Sequence, residues 1–153
     1  MSMKKHAPGL IDESAEDRLA LQDIESRLAL ATDAGKWDDF MGCFVQGAEV
    51  DYGSLGAGPI EEITELIRES QGRYQGTMNV VGTHCSRVEA DRAKAETYVV
   101  SHHFRLEAGV SWDDQAGTHY LDEFARTPEG WRITRRVAQL RWFRSDASSS
   151  GWI

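Results

Sequence analysis

A few polar side chains in this sequence are of types that can hold or move a proton, and each stands among aromatic or branched neighbours. Asp33 ends an early helical stretch, Asp51-Tyr52 a short extended run, Thr77-Met78-Asn79 open a later segment, and His102-His103 sit inside an apolar one. Projected into an apolar cavity, such groups have shifted pKa values and acid-base chemistry becomes available. Asp33, desolvated, would act as general base. Asn79 does not titrate and would orient Asp33 or bond a leaving oxygen. Tyr52 would stabilise developing negative charge, and His102 would be the general acid. Plainer readings stand beside these: an exposed carboxylate, a tyrosine whose hydroxyl is merely satisfied, a structural asparagine and a core histidine.

Alternation turns His102 and His103 to opposite faces of one strand. A hairpin centred near Val110-Ser111 would set His119 about opposite His102, as a partner that tunes it. Trp37, Phe44 and Trp142 are the expected apolar walls of the pocket, with His119 also beside the substrate.

The elements that must position these residues follow from periodicity. Leu21, Ile24, Leu28 and Ala31 step by three and four, which predicts a helix over Asp12–Ala34, with Ser14 and Asp17 as a capping pair and Gly35 as the stop. A short helix over Trp37–Phe44, a strand over Ala48–Tyr52, a glycine-rich loop over 53–58 and a helix opened by Pro59 follow. From Asn79 onward, β-branched and aromatic runs predict strands over 79–89, 93–107, 117–127 and 131–143. Their breaks, Ala90-Asp91, Asp113–Gly117 and Pro128–Gly130, predict a sequential antiparallel meander. The fold class is α+β: a cone-shaped, curved antiparallel sheet, an α+β barrel, closed by three N-terminal helices. Residues 1–11 read as a flexible arm, 12–145 as one domain and 146–153 as a tail.

Bulk properties narrow the function. The 153 residues suit one domain, and a net charge of −8 opposes a nucleic-acid partner. Cys43 and Cys85 stand alone without CxxC spacing, as in a reducing compartment. The first residues lack a signal-peptide run, and no stretch approaches the about 20 apolar residues of a membrane span. A cytoplasmic protein is expected. The histidines lack metal-ligand spacing such as HExxH, so no metal is expected. Gly53–Gly58 lacks the lysine of a phosphate-binding loop.

Taken together, Ala31-Thr32-Asp33 before Trp37-Asp38, Asp51-Tyr52-Gly53-Ser54, Thr77-Met78-Asn79, Val100-Ser101-His102, Gly130-Trp131-Arg132-Ile133 and Leu140-Arg141-Trp142 carry a family likeness. Over residues 15–145 the chain resembles the SnoaL-like branch of the nuclear-transport-factor-two-like superfamily, closest to the scytalone dehydratases. The resemblance implies a cone-shaped α+β barrel, commonly a homotrimer, without metal or organic cofactor. In that family the aspartate matching Asp33 orients a catalytic histidine, a tyrosine matching Tyr52 helps hold a water, and a second histidine matches His102. A serine partnering that histidine falls near His119. The family's catalytic histidine aligns with Asn79, and Thr32 replaces a second water-holding tyrosine, so the Asp-His dyad is absent here.

The expected function is that of a cofactor-independent lyase. It would remove water or formaldehyde from a small hydroxylated, aromatic substrate. An isomerase that shuttles a proton, as ketosteroid isomerases do, and a noncatalytic ligand-binding module of the same fold are the alternatives.

Overall fold

Leu21, Ile24, Leu28 and Ala31 bury one side of helix α1 (Ala15–Ala34), and Glu25 is buried with them. The computed structural model describes residues 15–153. The expected arm and the Ser14 half of the expected cap lie outside that range. Asp17 instead ties the start of α1 to the sheet: its carboxylate accepts from Arg126 at 2.8 and 2.9 Å and from Trp131 Nε1 at 2.9 Å. Gly35, at φ +65°, ends α1 in the left-handed conformation that costs glycine no Cβ clash.

Helix α2 spans Trp37–Met41, shorter than expected, because Phe44 already begins strand β1 (Phe44–Asp51). The glycine-rich segment forms a 3-10 turn and then an edge strand, β2 (Ala57–Pro59), antiparallel to β1. Helix α3 (Ile60–Gln71) buries Ile60, Ile63, Thr64 and Ile67, the i, i+3, i+4, i+7 stripe of an amphipathic helix.

Strands β3 (Gly76–Glu89), β4 (Arg92–Glu107), β5 (Val110–Thr127) and β6 (Gly130–Ala147) form the expected antiparallel meander. Two features differ from expectation. Strand β1 joins β6 in parallel, giving the order β2-β1-β6-β5-β4-β3. Asp113–Gly117 is strand, not turn; the chain reverses at Ala108-Gly109, with φ 49° and 77°. That polar run stays in the sheet because three of its four carboxylate oxygens find partners, Asp113 Oδ1 alone being buried without one. Asp113 accepts from Gln115 and pairs with His102, while Asp114 accepts from Arg105 and Ser145.

Register shifts at Val81/His84, Gly117/Thr118 and Glu123/Phe124 mark bulges that bend the long strands. The sheet is curved but not closed into a barrel, since its edges β2 and β3 do not pair. Helix α1 packs on β3 and α3 on β1, so the helices cover the concave side. Leu21, Ile60 and Ile133, fully buried, and Phe124 form the centre of the core between them. Part of the expected tail continues β6 to Ala147, and the Trp152 ring then packs 5.5 Å from Phe104. Among the described residues no helix is long and apolar enough to cross a membrane.

Candidate active site

The end of α1 meets the start of β3 through one carboxylate. Asp33 accepts hydrogen bonds from Thr77 Oγ1 at 2.9 Å, the Asn79 backbone N–H at 2.9 Å and Asn79 Nδ2 at 2.6 Å. Asn79 Oδ1 in turn accepts from Ser101 Oγ at 2.6 Å. The amide orientation is thereby fixed, with its donor on Asp33 and its acceptor on Ser101.

Beyond this chain lies a cavity of about 170 Å³ between α1, α3 and the concave face of the sheet. Strand register orders its sheet wall into rows. Thr77 pairs with His103 and His103 with Asp114; next come Asn79, Ser101 and Ala116; then Val81, Val99 and Thr118; then Thr97 and Tyr120. His103 lines the cavity. Its Nδ1 lies 3.1 Å from the Asp114 carbonyl oxygen, which can only accept, so Nδ1 carries the proton and Nε2 presents a lone pair. Burial pushes the His103 pKa below its ordinary value, against the raising influence of Asp114, Asp33 and Asp113. The ring is therefore a neutral imidazole at neutral pH. The Tyr74 ring packs against it at 4.9 Å.

The opposite end of the cavity is built around Arg136, which is 3% exposed. Asp122 accepts from its Nε and Nη2 at 2.7 Å, and both oxygens of Glu25 accept from Nη2 at 2.8 and 2.7 Å. The guanidinium also lies 4.3 Å over the Tyr120 ring, and Tyr52 packs edge-on to Tyr120 at 6.2 Å. Burial raises the pKa of both phenols, so each stays a protonated donor. Burial, opposed by Arg136 and reinforced by Asp122, raises Glu25 to about 7. Leu28, Phe40, Leu55, Ile67, Val81 and Val99 supply the apolar surface between the two ends. Among the described residues no group of three or more His, Cys, Asp or Glu is placed to hold a metal ion.

The SnoaL-like domain family matches residues 13–137. The chain belongs to that family. An uncharacterized protein of Mycobacterium tuberculosis is 32% identical over 127 residues, covering 79% of this chain and 83% of the relative, and one of Mycobacterium bovis matches equally. Among solved structures, a hexachlorocyclohexane dehydrochlorinase superposes with TM-score 0.76 at 18% identity, covering 87% of this chain and 90% of that one. A provisionally assigned scytalone dehydratase of Novosphingobium aromaticivorans gives 0.74 at 16% identity, covering 84% and 87%. A protein of Kribbella flavida gives 0.73 at 20%, covering 85% and 95%. At these identities the solved structures establish the fold alone.

Within this SnoaL-like fold, Asp33 and Asn79 meet as the sequence suggested, and Tyr52 lines the same cavity. Asp33, however, is saturated by its donors and does not face the cavity, which disfavours it as a base. His102 points to the convex face, where Nδ1 meets Asp113 at 2.8 Å, because Thr97, Val99, Ser101 and His103 take the inward parity. His119 is not opposite His102; it pairs with Tyr98, and Gln115 pairs with His102, because the turn falls two residues earlier than expected. His119 also lies on the convex side, buried under its neighbours, with Nε2 3.0 Å from Glu96 and Nδ1 3.0 Å from Arg141. Trp142 lies outside over Gly117, where a Cβ would meet its ring at 2.0 Å. Trp37 meets Phe40 edge-on at 5.8 Å and borders a separate surface hollow, and Phe44 is core behind Phe40 and Arg136. Phe40 is the aromatic residue that reaches the cavity from this group.

Glu25, Ser101, Tyr120 and Arg136 were not singled out from the sequence as site residues. A signal existed for the strand members. Ala93, Ala95, Thr97, Val99 and Ser101 are uniformly small or apolar and alternate with Lys94, Glu96 and Tyr98, which fixes the inward parity and selects His103. Glu25 carried a similar signal, lying within the apolar stripe of α1 beside Ile24 and Leu28.

Proposed function

We propose that this protein is a lyase that removes a small neutral molecule, water or formaldehyde, from a small hydroxylated aromatic substrate by side-chain acid-base chemistry. The observation that carries this reading is His103: a neutral imidazole of fixed tautomer, its Nε2 lone pair available, in a largely apolar cavity that also holds protonated phenols. His103 would take the proton from a substrate hydroxyl or from carbon beside a carbonyl, an exchange worth about 10²- to 10⁴-fold in rate. Tyr52, kept protonated by burial, would donate to the oxygen on which negative charge develops. As the C–O or C–C bond breaks, the proton held on His103 Nε2 would pass to the departing hydroxide, which leaves as water, or to the carbon from which formaldehyde leaves. The Asn79 Nδ2 hydrogen that Asp33 does not take would donate to the departing oxygen, its geometry held by Asp33 and Ser101. Asp33 is then a positioning residue. The dehydrochlorinase and dehydratase named among the structural neighbours eliminate a small molecule too, which agrees with this reaction class.

The test is mass spectrometry of hydroxylated single-ring aromatics incubated with the protein. A product lighter by water or formaldehyde, lost in His103→Ala and retained in His102→Ala, supports the reading. Tight binding without any mass change across the panel would assign a ligand-binding role instead.

A further inference from the structure

The cavity is polar at both ends and apolar between them, and two independent elements show the same order. Along α1 the lining residues are Glu25, then Leu28 and Ala29, then Thr32. Seven residues at 1.5 Å rise place the polar ends of that wall about 10 Å apart. Along the sheet, Asn79 and Ser101 are followed by Val81 and Val99, and then by Tyr120. Two residues of strand separate each row from the next, about 7 Å. The apolar belt is therefore about as deep as one aromatic ring is long; Thr118 is a polar residue within it, and Gln71, whose side-chain oxygen is buried without a partner, also lines the cavity. The volume agrees: a cavity near 150 Å³ is filled by benzene, and this one is about 170 Å³.

We infer that the guest is a monocyclic aromatic carrying polar substituents at its 1 and 4 positions, one bonded by the Tyr52, Tyr120 and Arg136 group and the other by Asn79, Ser101 and His103. The inference rests on the proposed reading of this cavity as the substrate site. A single ring fits between the two polar ends, whereas a second fused or linked ring would have to extend beyond them. Adjacent 1,2 substituents leave one end of the cavity unpaired, and buried polar groups left without a partner oppose binding. A ring with one polar group meets the same penalty at one end. The 1,4 arrangement also conjugates the two ends, so a charge stabilised by Tyr52 at one substituent is felt at the carbon bearing the other.

The experiment compares 4-(hydroxymethyl)phenol, its 2-isomer and benzyl alcohol by titration calorimetry with the full chain. The 4-isomer is expected to bind at least about tenfold more tightly than either competitor, the equivalent of one good hydrogen bond. Tyr52→Phe removes a single hydroxyl and leaves the ring packing. It should bring the 4-isomer down to the level of benzyl alcohol while changing benzyl alcohol less than about twofold; Tyr120→Phe is the second variant should the first fold poorly. Equal affinity for the 4- and 2-isomers overturns the inference and leaves the cavity as a ligand site. An advantage for the 4-isomer that survives in both phenylalanine variants overturns it as well. Absence of binding by all three compounds overturns the inference and the proposed function together.

Discussion

Replacing Glu25 with glutamine should flatten the pH dependence of stability. The carboxyl is 2% exposed and shares one guanidinium with Asp122, so one buried cation faces two buried carboxylates. Burial first, and the Asp122 charge in the same direction, lift Glu25 from 4.5 to about 7 despite Arg136. The folded protein therefore holds this proton more tightly than the unfolded chain. Its stabilising contribution is complete below pH 4.5 and is lost as pH rises through about 7. At 1.36 kcal/mol per pH unit, the interval corresponds to about 3 kcal/mol. Glutamine keeps a neutral amide against Arg136, whose charge Asp122 still balances, and removes the titration. Urea unfolding from about pH 5 to about pH 9 reads the difference: the wild type should lose about 3 kcal/mol more than Glu25→Gln across that range. Parallel curves, or a wild type that gains on the variant as pH rises, would refute the reasoning.

Asp33→Ala should destabilise the fold by about 3 kcal/mol in equilibrium unfolding, because Thr77 Oγ1, the Asn79 N–H and Asn79 Nδ2 all lose their acceptor. Gly117→Ala should cost about 1–3 kcal/mol, since the new methyl would sit 2.0 Å from the Trp142 ring. Adding Trp142→Ala should recover most of that loss in the same assay. Phe124→Ala should cost about 3–5 kcal/mol, the usual price of emptying a fully buried aromatic site.

Much of the fold was legible in the chain because its signals are local. The three-and-four spacing of Leu21, Ile24, Leu28 and Ala31 defines the buried side of α1, and the meander follows from its β-branched runs. The parallel pairing of β1 with β6 was not legible, because it joins residues such as Val50 and Arg136 far apart in sequence. The break misplaced at Asp113–Gly117 has a similar cause: aspartates read as turn formers are strand residues here because Arg105, His102 and Ser145 partner them from other strands or positions. The site was half legible. Asp33, Asn79 and Tyr52 could be placed because each stands at the end of a recognisable element. The choice between His102 and His103 required strand parity, and the misplaced turn also set His119 against the wrong partner. Arg136 was hidden by rule, since charged residues are ordinarily assigned to the surface, and Glu25, although set in the apolar stripe of α1, was passed over for the same reason.

The proposed chemistry turns on the state of one imidazole, and nitrogen-15 NMR of the histidines measures it directly. His103 should be the Nδ1-protonated tautomer at neutral pH, titrate below the about 6.5 of a free histidine, and shift when a small aromatic guest is added, while His102 stays unmoved. A His103 that is already protonated at neutral pH, or a guest that perturbs His102 and leaves His103 unchanged, would contradict it.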